Sequence, residues 1–307
     1  VTTEAPEPAR PAEGEVRGEL VLVGTPIGNL GDLSPRAREV LAAADLICCE
    51  DTRRTRGLLA AMGIPAGGPG GDRLLSLHGH NELDRVSRVL DCVQSGGTVA
   101  VVSDAGMPGI SDPGALVAAE AAAAGLVVSV VPGPSSVLAA LVVSGLPADR
   151  FCVEGFLPRK GPERRRRMAT LMADDRTTIV LEAPGRVGAT LAELAAIGGQ
   201  RPVAVVRELT KVHEEVWRGT ALEGAERYTQ QPPRGEVVLV IAGAPPAGPA
   251  SLDDVEAAVR ARVRDPSVVG EGPRQIADAV AGQLGVARRV VYELVLRLRS
   301  EEGDQLT

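Results

Sequence analysis

Short apolar runs recur along this chain from Glu19 onward, each followed by a turn rich in Gly and Pro and then by an amphipathic stretch. The runs at Leu20–Gly24, Asp45–Cys49, Val99–Ser103 and Val127–Val131 predict strands. The stretches at Pro35–Ala43, Thr52–Met62, Asn81–Gln94 and Pro113–Ala124 predict helices. An unbroken run such as Val99-Ala-Val-Val suits a parallel strand covered on both faces. Strands alternating with helices predict an α/β fold with a mostly parallel sheet.

A second set follows the turn at Pro132-Gly-Pro. Its predicted strands are Phe151–Gly155, Thr177–Glu182, Pro202–Arg207 and Glu236–Ala242, with more alternation, as a mixed sheet would show. Helices are expected at Ser135–Ser144, Pro162–Ala173, Val187–Ala196 and after Gly219. Residues 1–17, rich in Pro, Glu and Ala, read as a disordered tail. Residues 18–131 and 132–245 read as two α/β domains with a ligand cleft between their sheets. Residues 246–307 open on a Pro/Gly linker and continue in three short helices near Asp253–Val263, Arg274–Leu284 and Arg288–Arg299. The last two resemble a helix-turn-helix with Gly285 at the turn, a pattern equally open to a packing appendage.

Three strand ends carry unusual loops: Gly24-Thr-Pro-Ile-Gly-Asn-Leu, Ser103-Asp-Ala-Gly-Met-Pro-Gly-Ile-Ser-Asp-Pro-Gly, and Pro132-Gly-Pro-Ser-Ser. Ligands of open α/β sheets sit beyond the carboxyl ends of strands, and loops of small residues let backbone groups approach them. Neither GxxxxGK[ST] nor GxGxxG occurs in these loops, which disfavours ATP and dinucleotides.

Composition narrows the ligand further. Two Phe, two Tyr and one Trp leave little surface for stacking single-stranded bases. A net charge of −7 argues against general polyanion affinity, so any nucleic-acid role needs a local basic patch. Cys48, Cys49, Cys92 and Cys152 have no metal-ligand spacing and read as reduced thiols in or near the core. His78 and His80 lack a third ligand at useful spacing, so no metal is expected. No apolar run is long enough for a membrane span and no signal-peptide pattern is seen. The expected location is the cytoplasm.

The three loops, together with Cys49-Glu-Asp-Thr-Arg, Glu154-Gly-Phe-Leu-Pro-Arg-Lys, Glu182-Ala-Pro and Arg207-Glu-Leu-Thr-Lys, resemble the tetrapyrrole-methylase family in order and spacing. Within it they are most similar to the branch that methylates a cytidine 2′-hydroxyl of 16S ribosomal RNA. The resemblance runs from about Glu19 to Ala242 and implies a homodimer with S-adenosylmethionine held between the two domains. Carried over by motif, the implied cofactor residues are Thr25, Pro26, Ile27, Gly28 and Asn29, then Asp104, Ala105, Gly106, Met107 and Pro108. Ser135, Ser136, Glu182 and Ala183 complete the set. Met107 stands where the family pattern has Thr, and Gly185 where it has His.

A ribose hydroxyl needs a general base or a polarising cation to act as nucleophile. Glu50, Asp51, Asp104, Glu182, Glu208 and Lys211 are the candidates. Positive charge concentrates at Arg159, Lys160, Arg164, Arg165, Arg166 and Arg167, with Arg53 and Arg54 as a smaller group. These are expected to meet RNA phosphates, although such runs are often only solvated faces. The expected partner is 16S rRNA within the small ribosomal subunit. The alternative activity is C-methylation of a tetrapyrrole, which predicts no use for the basic run.

Overall fold

The computed structural model describes residues 18–68, 71–78, 81–110, 112–245, 251–264 and 271–304. The predicted tail, His80 and most of the linker therefore lie outside the described residues.

The first sheet contains β1 (Glu19–Val23), β2 (Leu46–Cys49), β5 (Leu74–Ser76), β6 (Thr98–Val102) and β7 (Val127–Val131). All pairings are parallel, in the order β5-β2-β6-β1-β7. Successive residues of one strand feed opposite cores, which explains the unbroken apolar runs. Val21, Ile47, Ala100 and Val102 pack with α1 (Pro35–Ala43) and α2 (Thr52–Ala61). Leu20, Leu46, Cys48, Val99 and Val101 pack with α3 (Glu82–Gln94) and α4 (Ala115–Ala123). Cys48 and Cys49 are thus buried on opposite faces, and burial pushes the Cys48 thiol up to about 12. A small hairpin, β3 (Gly67–Gly68) with β4 (Gly71–Asp72), precedes β5.

The second sheet follows α5 (Ser136–Ser144) and runs β11-β10-β12-β9-β8. Its strands are β8 (Phe151–Phe156), β9 (Thr177–Glu182), β10 (Pro202–Arg207), β11 (Glu215–Thr220) and β12 (Val237–Ile241). Only β8 and β9 are parallel, so the sheet is mixed. One face is covered by α6 (Pro162–Ala173), α7 (Val187–Gly198) and α8 (Ala221–Gln230). The other meets α5 and Ile27 from the loop after β1. Two strands of the main sheets, β5 and β11, are absent from the sequence reading, as is the β3–β4 hairpin. The first has three residues, and the second is a sheet edge with Glu215, Arg218 and Gly219 in six positions.

Compactness separates residues 1–243 from 244–307. The latter contains α9 (Leu252–Arg264), α10 (Pro273–Leu284) and α11 (Arg288–Asp304) around Val259, Ile276, Val291 and Val295. Gly285 closes α10 in the left-handed conformation at φ 64°, the geometry the turn demands.

Candidate active site

The loops after β1, β6 and β7 converge because two glycines let their backbones touch. A Cβ on Gly24 would lie 2.6 Å from the Cα of Gly133, and one on Gly133 would lie 2.8 Å from Gly24 backbone. Thr25 and Gly106 exchange backbone hydrogen bonds of 2.9 and 3.1 Å, stitching the first loop to the second. Gly28 performs the same service toward the second sheet, since its Cβ would meet Lys211 Cγ at 2.5 Å.

A cavity of about 370 Å³ opens between the sheets. The loop after β6 supplies Ala105, Gly106, Met107, Ile110 and Asp112, and the start of α5 supplies Ser135, Ser136 and Val137. The second sheet closes it with Leu181–Pro184 and Gly235–Val238. Ser135 accepts a hydrogen bond from the Leu138 amide as the cap of α5. The size lies within the range of cofactor pockets, roughly 300–1,000 Å³. Apolar walls, small-residue backbone and a few polar side chains suit an adenine-bearing sulfonium with an amino-acid tail. They offer no cluster of cations for a phosphate.

Of the implied cofactor residues, Ala105, Gly106, Met107, Ser135, Ser136, Glu182 and Ala183 line this cavity. Thr25, Pro26, Gly28 and Asp104 instead line a second one of about 260 Å³. Ile27 is buried in the core between α5 and the second sheet, and the Asn29 carboxamide caps the following turn by accepting from the Gly31 amide at 2.9 Å. Pro108 is buried and lines neither. Met107 faces the cofactor cavity with its sulfur packed over Gly24, where the family pattern has a hydroxyl. Gly185 has open space around it.

The base candidates sort by their partners. Glu182 has a side chain with 0% exposure. Its oxygens accept from the Ala183 amide at 2.9 Å, Arg186 Nη2 at 3.3 Å and Thr190 Oγ1 at 2.6 Å. It holds the turn that lines the cavity and is sealed from any substrate. Asp51 caps α2, and the hydrogen bonds of Arg53 hold its carboxyl down at about 2. Glu208 accepts from the Glu236 amide and from Lys211 Nζ, both at 2.9 Å, and these lower its pKa. Burial alone would lower the Lys211 pKa, but hydrogen bonds to Glu208 and Glu236 outweigh it and leave the amine above its usual range. Glu208 and Thr210 hold φ of 49° and 65°, strain concentrated in a loop that meets Gly28. Asp104 accepts from the Asp51 amide at 3.1 Å and faces Arg54 at 3.4 Å. Glu50 is exposed at the end of β2.

Besides Glu236, which is paired with Lys211 at 3.2 Å, the cofactor cavity is faced by the Asp112 carboxylate, which sequence reasoning passed over within the quoted loop. Burial first, then the charges of Glu50 and Asp104, push it up to about 6, against the pull of the Ser103 hydroxyl. Its only sequence signal is the Asp-Pro-Gly turn at the loop's return.

The basic run divides. Arg159, Lys160, Arg165 and Arg166 are exposed, and Arg167 is exposed while paired with Glu154 at 3.2 Å. Arg164, grouped with them as an RNA contact, is only 4% exposed. Its guanidinium donates to Glu193, the Pro158 carbonyl and Thr190 Oγ1. It turns inward because α6 presents one face to the core beside Met168, leaving no surface for phosphate. Arg53 and Arg54 are 87% and 67% exposed at the side-chain level. Among the described residues no group of three His, Cys, Asp or Glu side chains could hold a metal. No helix among them is long and apolar enough to cross a membrane.

Residues 19–224 match the model of the tetrapyrrole (corrin/porphyrin) methylases. The chain belongs to the tetrapyrrole methylase family. It is 44% identical over 93% of its length to a ribosomal RNA small subunit methyltransferase I of Mycobacterium tuberculosis (strain CDC 1551 / Oshkosh), covering 97% of that protein. A protein of the same name from Thermotoga maritima is 42% identical over 74% of this chain and 99% of its own. Among solved structures, a cobalt precorrin-4 methyltransferase superposes with a TM-score of 0.55 at 18% identity, covering 76% of this chain and 98% of its own. A Thermus thermophilus uroporphyrin-III C-methyltransferase complexed with S-adenosylhomocysteine gives 0.50 at 22% identity, covering 74% and 97%. At those identities the likeness is one of fold. The two-sheet α/β architecture expected from the loop motifs is therefore that of this family.

Proposed function

We propose that this chain transfers the methyl group of S-adenosylmethionine to the 2′-hydroxyl of a cytidine in 16S rRNA of the small ribosomal subunit. The observation that carries this reading is the 44% identity over 93% of the chain to a ribosomal RNA small subunit methyltransferase. The cofactor, when bound, supplies a methyl on a sulfonium with a neutral thioether as leaving group. The chain's part is to hold acceptor and donor in line, which can contribute roughly 7–11 kcal/mol. Met107, Ile110, Val137 and Leu181 keep water from that line, while Ser136 and the backbone at Gly106 and Ala183 offer polar contacts to the tail. Asp112 takes the proton of the attacking hydroxyl and passes it to solvent.

Arg159, Lys160, Arg165, Arg166 and Arg167, with Arg53 and Arg54, supply the phosphate contacts. The active species is a homodimer in the cytoplasm, with residues 18–131 and 132–245 as the two halves clasping the cofactor. Support for the dimer comes from the exposed apolar side chains Val127 and Val130 on β7, Leu138 and Val142 on α5, and Phe151, Val153 and Phe156 on β8. Incubating the protein with methyl-labelled cofactor and small ribosomal subunits, then mapping the label, tests the reading. Label on a cytidine ribose is expected. Label on a porphyrinoid and none on RNA would overturn it.

A further inference from the structure

The second cavity, of about 260 Å³, lies across the Thr25–Gly106 stitch from the cofactor cavity. It is formed by the loop after β1, by α2, and by Ser103 and Asp104. From the same loop Ala105, Gly106 and Met107 pass directly into the cofactor cavity. The two spaces therefore share one wall, with Asp104 on one side and Asp112 on the other.

We propose that this second cavity receives the base of the acceptor nucleoside, an unstacked pyrimidine whose ribose reaches past the shared wall into the cofactor cavity, where Asp112 lies; this rests on the function proposed above. Its volume falls below the span usual for larger ligands, roughly 300–1,000 Å³, and suits a single small base. An enzyme acting on a nucleotide in folded RNA must take it out of its stack and grip the base between apolar surfaces. Leu30 and Leu58 are such surfaces here, and Leu30 is 57% exposed. Gly57 leaves the side formed by α2 flat, for a Cβ there would meet nothing within 4 Å.

The polar groups favour an amino-bearing pyrimidine. The Asp104 carboxylate accepts one hydrogen bond from the Asp51 amide and faces one guanidinium, that of Arg54. A carboxylate has about four acceptor positions, so capacity remains for an exocyclic amine. Carboxylates accept from the N4 amine of cytosine, whereas the O4 of uracil would place two acceptors face to face. Arg54 and Arg53 stand where the strand's phosphates enter. Phosphate contacts would fix the register while Asp104 selects the base.

The test is Gly57→Leu, with Gly57→Ala as a graded partner. Both side chains grow into open space, and replacing a helical glycine favours the helix, so the fold is expected to hold. Cofactor affinity by calorimetry should stay within about twofold of the parent. Methylation of small subunits by Gly57→Leu should fall about tenfold or more in kcat/KM, a scale at which pockets reject misfits, with Gly57→Ala intermediate. Unchanged methylation by Gly57→Leu overturns the assignment. So does loss of cofactor affinity in step with activity, which would make this space part of the cofactor site. If the parent protein itself places no label on RNA, the proposed function falls and this assignment with it.

Discussion

Asp112 combines two properties that pull in opposite directions. Its burial beside Glu50 and Asp104 makes it a better base at neutral pH, and the same surroundings make its ionised form a burden on the fold. Its pKa rises from 3.8 to about 6 on folding. Below 3.8 the carboxyl is protonated in both states and costs nothing. Between 3.8 and 6 the cost grows, and above 6 it is fully present. Asp112→Asn should therefore raise the melting temperature at pH 8, show a shrinking advantage as pH falls through 6, and none near pH 4. It should also flatten the acid limb of the methylation profile. Equal stabilisation at pH 8 and pH 4 would contradict the assignment. Arg164 and Arg165 make a second pair at this scale. Arg164→Ala removes a charged donor from Thr190 and from the Pro158 carbonyl, and should cost about 2–3 kcal/mol in denaturant unfolding. Arg165→Ala, on the exposed face, should change stability by no more than about 0.5 kcal/mol. It should instead reduce the salt slope of RNA binding by about 0.7–0.9. In the sequence these two arginines are indistinguishable neighbours. What separates them is Thr190 and Glu193, more than 20 residues away and visible only once α7 lies against α6. The same limit applies to the base. Six candidates could be written down from loop position, but which carboxylates are neutralised depends on Arg186, Thr190 and Lys211 folding back onto them.

The elements themselves were far more legible, because each strand of the first sheet serves two cores. Val21 and Leu20, or Val99 and Ala100, point to different helix layers, so the apolar run is continuous and its ends are marked by turns. The strand at Val127–Val131 was readable to the residue from its valine run between two turns, although it is a sheet edge with Val127 and Val130 exposed. The one at Glu215–Thr220 was not, since it pairs with β10 alone and leaves Arg218 exposed. The loops were legible through their glycines, though the reason for those glycines is a contact between segments over 100 residues apart. Gly133→Ala would drive a Cβ to 2.8 Å from the backbone of Gly24. Neither segment can yield without moving β1 or β7, so a loss of about 1–3 kcal/mol is expected, the usual range for overpacking. Cofactor affinity should fall with it, because Ser135 and Ser136 follow directly on the displaced turn. A melting temperature and a calorimetric Kd unchanged in Gly133→Ala would show that the two loops do not need to touch.

At the scale of the whole molecule the question is what covers the chain's apolar edge. β7 ends the first sheet, β8 ends the second, and α5 is the segment that joins them. Sheet edges left open in a soluble protein are normally charged, twisted away or covered. This one carries Val127, Val130, Phe151 and Val153 instead, and Val142 on α5 is 76% exposed. Phe156 belongs both to that edge and to the wall of the cofactor cavity. A second copy seated there would bury the edge and shield the mouth of the site at once, so association and activity should be coupled. Val142→Glu places a charge at the middle of the proposed contact, on a helix position that faces away from the protomer's own core. The isolated protomer should tolerate it within about 0.5 kcal/mol, while an apolar interface would not. Sedimentation at micromolar concentration should give a dimer mass for the parent chain and a monomer mass for Val142→Glu. Methylation should drop in the variant and recover in part as its concentration is raised. A parent chain that sediments as a monomer while methylating at full rate would leave that edge free for a different partner.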